Sequence, residues 1–185
     1  MDNDLFLNAI QTVYTLEPSA SSAYYLYRLY SSRGDVDNAV KYIEEAINSD
    51  ESDVLTDAGY LFELAAFSFK NGKNAKAYEA AQKVVELNPE MAGKAYMLIG
   101  TIWGSTICGG NEIERRAPYW VAVDYMTKAK NADPALAEDA NNYIRQYANY
   151  YPAASEAFMY DVVDGQSYTV SCGGMRAVTT VRTQK

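Results

Sequence analysis

The sequence predicts a mainly α fold: a superhelix of paired, stacked helices ending in a small C-terminal antiparallel β-meander. Three observations carry this expectation. Side chains of matched bulk return at matched offsets, first Leu61, Leu64, Ala65, Ala77, Ala81 and Val84, then Ile99, Gly100, Trp103, Ala122, Met126 and Ala129. Glycines stand where a helix pair must turn, at Gly34 and Gly72, 38 residues apart; glycine accepts the left-handed geometry that stops a helix. From Pro152 onward the apolar period changes from the helical value to the strand value of two.

The elements follow in order. Residues 5–16, ahead of Pro18, read as one helix with the pattern of the second member of a pair. This half unit, 1–18, either continues a longer array or is an N-terminal cap. A full pair covers about 20–53, with Leu26, Tyr27 and Tyr30 on its first helix and Ala39, Ile43 and Ala46 on its second. The next pair covers 58–91 and closes at Pro89. A third covers 93–135, interrupted by an insertion at 104–117. Pro118 then suits the first turn of the helix that follows, where a missing N–H costs nothing. Residues 136–151 carry Ala140, Tyr143, Ile144 and Tyr147 with no second helix behind them, as a capping helix would.

The tail, 152–185, holds strand-like runs at 158–163, 166–172 and 177–182. Asp164-Gly165 and Gly173-Gly174 lie between them as turn signals. Residues 153–158 read alternatively as a helical turn. Two strands alone are marginal, so the tail needs a third strand or packing against the last helices.

Composition excludes several kinds of chemistry. The 185 residues suit one domain. With no histidine, Ser-His-Asp and Cys-His catalysis and every histidine-ligated metal are ruled out. Two cysteines cannot build a four-cysteine cluster. Sixteen Lys+Arg against 24 Asp+Glu give a net charge of −8, so no nucleic-acid partner is expected. Neighbouring carboxylates such as Glu44/Glu45 and Asp50/Glu51 point in different directions on a helix, and the Gly-Gly pairs lack a phosphate-loop context. The expectation is a non-enzyme with no cofactor and no metal. The start, Met1-Asp2-Asn3-Asp4, leads into no apolar signal segment. The longest uncharged run, 95–111, is broken by Gly104, Gly109 and Gly110, which suits a buried helix and a loop better than a membrane span. Tyrosine is abundant, at 17 against five Phe and two Trp, and fills helix faces where other chains place Phe or Leu.

Laid on a 34-residue ruler, these residues fall at positions 4, 7, 8, 11, 15, 20, 24, 27 and 32, and residues 1–151 resemble a tetratricopeptide-repeat protein. Ser68 and Tyr27 depart from the usual residue types at positions 11 and 8. The spacing of Gly34 and Gly72 leaves four extra residues, placed around 48–57. The loop Cys108-Gly109-Gly110 together with the tail 167–174 also resembles a group of bacterial cell-envelope repeat proteins.

The resemblance implies a scaffold whose first helices line a groove for a peptide or partner protein. The implied groove residues are Tyr24, Arg28, Ser31 and Ser32, then Phe62, Ala66, Phe69 and Lys70, then Met97, Thr101 and Ser105, and on the capping helix Asn141, Arg145 and Asn149. The lysine-and-asparagine clamp that some members close on a C-terminal carboxylate is absent. A glycan or small-ligand binding component of a bacterial envelope system is the alternative function. Cys108 and Cys172, 64 residues apart, either form a disulfide tying the inserted loop to the tail, which could narrow one end of the groove, or remain two reduced thiols. A disulfide needs an oxidising compartment, which a periplasmic or envelope location would supply. The cluster Glu112-Ile113-Glu114-Arg115-Arg116 reads as a solvated face or as salt bridges pinning the loop.

Overall fold

The computed structural model describes residues 3–49 and 52–184. Eight longer helices come first: α1 (Asn3–Leu16), α2 (Ala20–Arg33), α3 (Val36–Ile47), α4 (Val54–Lys70), α5 (Asn74–Leu87), α6 (Ala92–Ser105), α7 (Glu112–Ala132) and α8 (Ala137–Ala148). A short α9 (Ala154–Phe158) and the strands β1 (Ser167–Cys172) and β2 (Met175–Thr180) complete the chain. Each helix packs on the next in sequence order, and the first helices α4 and α6 also touch.

Local signals set the helix ends. Ser19 and Asn111 each form a capping box, with Ser22 and Glu114, while Asp35 and Asp53 accept from the backbone N–H three residues on. Gly34 and Gly72 have φ of 75° and 73°, the left-handed stop expected between paired helices. Asn88-Pro89 and Asp133-Pro134 each open a 3-10 turn that starts the next first helix.

The core follows the ruler. Ala39, Ile43 and Ala46 on α3, Ala77, Ala81 and Val84 on α5, and Ala122, Met126 and Ala129 on α7 have almost no exposure. The core they belong to also holds Tyr27 on α2, Leu61, Leu64 and Ala65 on α4, and Ile99 and Trp103 on α6. Small residues at the contacts are required by distance. A Cβ on Gly100 would lie 3.1 Å from the Ala122 carbonyl oxygen, and one on Gly93 would lie 2.5 Å from the Asp133 Cβ. The extra residues expected around 48–57 fall in the α3–α4 connection, of which residues 50–51 lie outside the described part.

Two expectations are corrected. The insertion at 104–117 is shorter than expected, because α6 runs to Ser105 and α7 begins at Glu112. The Asn111/Glu114 capping box starts α7 two turns early. Pro118 therefore lies inside α7 and not in its first turn, and the Glu114 carbonyl loses its intrahelical donor. The ring is fully buried, which offsets part of that loss.

The tail takes the helical-turn alternative. Residues 154–158 are α9, so no strand forms at 158–163, and Asp164-Gly165 leads into β1 without joining two strands. The hairpin turn is Gly173-Gly174, with φ of 58° and 78°, the two positive values a primed two-residue turn needs. Cys172 pairs with Met175 and Ser167 with Thr180. Val170, Met175 and Thr179 face inward, while Thr169, Arg176 and Val178 face outward.

Packing supplies what two strands lack. Trp120 of α7, with no exposed surface, donates from Nε1 to the Arg182 carbonyl at 2.8 Å and takes the edge of Tyr168. Asp124 accepts from Thr179 Oγ1 and pairs with Arg182. Tyr78 of α5 donates to the Arg176 carbonyl at 3.2 Å. Cys108 and Cys172 are joined by a disulfide, with Cα atoms 5.7 Å apart, which ties the α6–α7 loop to the hairpin. The Glu112 cluster pins this end: Glu112 pairs with Arg115 and Arg116, and Arg116 reaches Glu156 of α9 at 3.2 Å. Those guanidinium bonds hold the Glu112 carboxyl below the usual carboxylate range.

Candidate functional site

Each first helix has a buried stripe and, beside it, a second stripe spaced by three and four residues. On α2, Ala23, Leu26 and Tyr27 are buried, and Tyr24, Arg28 and Ser31 form the neighbouring face. On α4 that face is Phe62, Ala66, Phe69 and Lys70; on α6 it is Met97 and Thr101; on α8 it is Asn141 and Arg145. Phe62, Phe69 and Met97 are half-buried with their inner edges against the core, while Arg28, Ala66, Lys70 and Arg145 are exposed.

The best-defined cluster joins α2 to α4. Tyr24 stacks on Tyr60 with ring centres 4.7 Å apart. Its hydroxyl donates to Glu63 Oε1 at 2.7 Å and accepts from Arg28 Nη1 at 3.3 Å. Burial, then the bond to the Glu63 carboxylate, raises the Tyr24 phenol above its ordinary value. Tyr60 and Glu63 are the residues that sequence reasoning missed. They sit three apart on α4, flanking Phe62, and a ruler applied within one repeat does not show pairing between repeats.

The other implied residues are partly committed elsewhere. Thr101 Oγ1 donates to the Met97 carbonyl, Ser105 Oγ to Ile102, and Ser32 Oγ to Leu29. Asn141 Oδ1 accepts from Lys130 Nζ at 2.8 Å, and Arg145 bonds Asn142. Asn149 lines a cavity of about 780 Å³ between the end of α8 and the tail, with Tyr151, Asp164 and Arg182. The structure thus brings Tyr24, Arg28, Tyr60 and Glu63 together and leaves Asn149 beside the tail. Among the described residues, no group of three or more His, Cys, Asp or Glu is arranged to hold a metal ion, and no helix is long and apolar enough to cross a membrane.

No curated protein matches the sequence. The sequence profile of the tetratricopeptide repeat matches residues 28–53. In fold, the chain is similar to a crystal structure of MamA, with a TM-score of 0.56 and 18% identity over 80% of this chain and 88% of that one. A second crystal structure of MamA protein gives 0.55 and 17% identity, covering 88% of each chain. Residues 28–53 thus match one tetratricopeptide repeat, and the helical stack has a tetratricopeptide-like fold.

In tetratricopeptide terms, α2, α4, α6 and α8 are first helices and α3, α5 and α7 second helices. The hairpin rests on second helices, through Tyr78, Trp120 and Asp124. At the capping-helix end the tail also meets an implied groove residue, where Gln184 Nε2 donates to the Asn149 carbonyl.

Proposed function

We propose that this protein is a non-catalytic scaffold that binds an extended peptide or partner segment along its first helices. The observation that carries this reading is the row of half-buried apolar side chains, Phe62 and Met97 at one repeat position with Phe69 two turns beyond Phe62, bordered by exposed polar ones. Such a row offers apolar anchors inside a polar rim. The glycan alternative has weaker support, because Tyr24 turns a ring face onto Tyr60 and away from a sugar. The Cys108–Cys172 disulfide supports an oxidising compartment such as the periplasm or cell envelope.

A photo-crosslinking amino acid placed at Phe69, and separately at Glu79 on the outer helix α5, tests the groove. Exposed to extract from the native cell, the Phe69 probe is expected to give a defined adduct that the Glu79 probe does not. Equal labelling from both positions, or labelling from Glu79 alone, removes the groove assignment.

A further inference from the structure

Cations are distributed unevenly between the two sets of helices. On the second helices, Lys41, Lys76, Lys83, Arg115 and Arg116 each pair with a glutamate, and Lys73, just before α5, pairs with Asp37; Lys128 and Lys130 of α7 meet no carboxylate but lie over the Tyr125 ring and on Asn141 Oδ1. On the first helices, Arg28, Lys70, Lys94 and Arg145 form no ion pair among the described residues. Arg28 touches only the Tyr24 hydroxyl and Arg145 only Asn142. All four are exposed.

Each unpaired cation lies within a turn of a groove side chain. Arg28 is four residues after Tyr24, Lys70 follows Phe69, Lys94 is three residues before Met97, and Arg145 is four residues after Asn141. Of the carboxylates near these faces, Glu63 is engaged by Tyr24 and also attracts Arg28, leaving Glu138 and Asp139 at the start of α8. A chain with a net charge of −8 thus keeps one unpaired positive group on each of four successive first helices. Grouped on one face, such charges attract an anionic partner and set its register.

We propose that the groove takes an internal acidic stretch of a partner polypeptide. Its carboxylates meet Arg28, Lys70, Lys94 and Arg145 in turn, and its apolar side chains seat against Phe62, Phe69 and Met97. This inference rests on the groove reading and adds the partner's chemistry. The cations are spread one per helix, so the partner's charge is spread along its chain and not concentrated at a terminal carboxylate. The apolar side chains between them favour a peptide, which can seat its own apolar side chains there, over a phosphate backbone.

The test is selection of displayed random peptides on the intact, oxidised protein, followed by anisotropy measurements on the selected peptides with free and amidated C-termini. The expected peptides are rich in Asp and Glu interleaved with apolar residues, and they bind equally with either terminus. The triple variant Lys70→Glu, Lys94→Glu, Arg145→Glu is expected to weaken them about tenfold or more, and added salt to weaken the parent in the same direction. These three side chains are exposed and form no ion pair, so the variant should keep the parent's circular dichroism, with a small drop in melting temperature because Lys70 and Arg145 lie in last helical turns. Selected peptides with no acidic excess, lost on Phe69→Glu but kept by the triple variant, would overturn the acidic partner and leave the groove standing. Dependence on a free C-terminus, or displacement by a single-stranded oligonucleotide at lower concentration than by the peptides themselves, would also overturn it. Selection of no peptide at all overturns both readings.

Discussion

Replacing glycine by alanine inside a helix tests the stacked geometry through the sign of the result. Gly59 lies within α4, and a Cβ there would meet nothing within 4 Å. Gly59→Ala should therefore gain stability, by about 0.5–1 kcal/mol from helix propensity. Gly93 lies in the first turn of α6, where an added Cβ would sit 2.5 Å from the Asp133 Cβ and 3.3 Å from Leu136 Cδ1. The Asp133 Cβ is fixed to its backbone, so relief requires moving the junction between α7 and α8. Overpacking of this kind costs about 1–3 kcal/mol. Less the propensity gain, Gly93→Ala should lose about 1–2 kcal/mol. Urea denaturation followed by far-UV circular dichroism reads both changes against the parent. If Gly93→Ala proves as stable as the parent, α6 does not approach the α7–α8 junction as closely as described, and the tight stacking of the third unit is refuted.

Two other outcomes follow. Replacing Cys108 and Cys172 together by serine should destabilise the oxidised protein by about 4 kcal/mol, from the loop-entropy relation at a separation of 64 residues, and should speed amide exchange in the hairpin first; unchanged denaturation and exchange would show that the bond adds nothing. Burial raises the phenols of Tyr27, Tyr147 and Tyr151 to about 12 from 10.0. The neutral form is favoured in the fold, so their contribution is complete below pH 10 and is lost as pH rises toward 12. Each ionisation costs about 1–3 kcal/mol, and phenolate absorbance should rise together with loss of helix; smooth titration with the fold intact at pH 12 would contradict their burial.

The stacked units were legible because packing fixes residue size at contacts. Ala39, Ala77 and Ala122 share one repeat position and are all fully buried, and Gly34 and Gly72 both take positive φ. Pro118 does not mark the start of α7, because Asn111 and Glu114, three apart, form the cap that sets it. The missing strand at 158–163 has a similar cause. Its alternation of apolar residues suits either state, and contacts such as Arg116–Glu156 decide for the helical turn. At the candidate site, the first-helix faces were legible from phase alone. The Tyr24–Tyr60–Glu63 cluster was not, because it depends on the angle between successive units.

The hairpin has a consequence for how the stack comes apart. A row of repeats held only by neighbour contacts frays one unit at a time. Here Tyr78 of the second unit, Trp120 of the third and the Cys108 loop all grip the same two strands, which lie across the outside like a strap. The half from α4 to α8 should open as one body, and the first departures from order should come at α1 to α3, where no strap reaches.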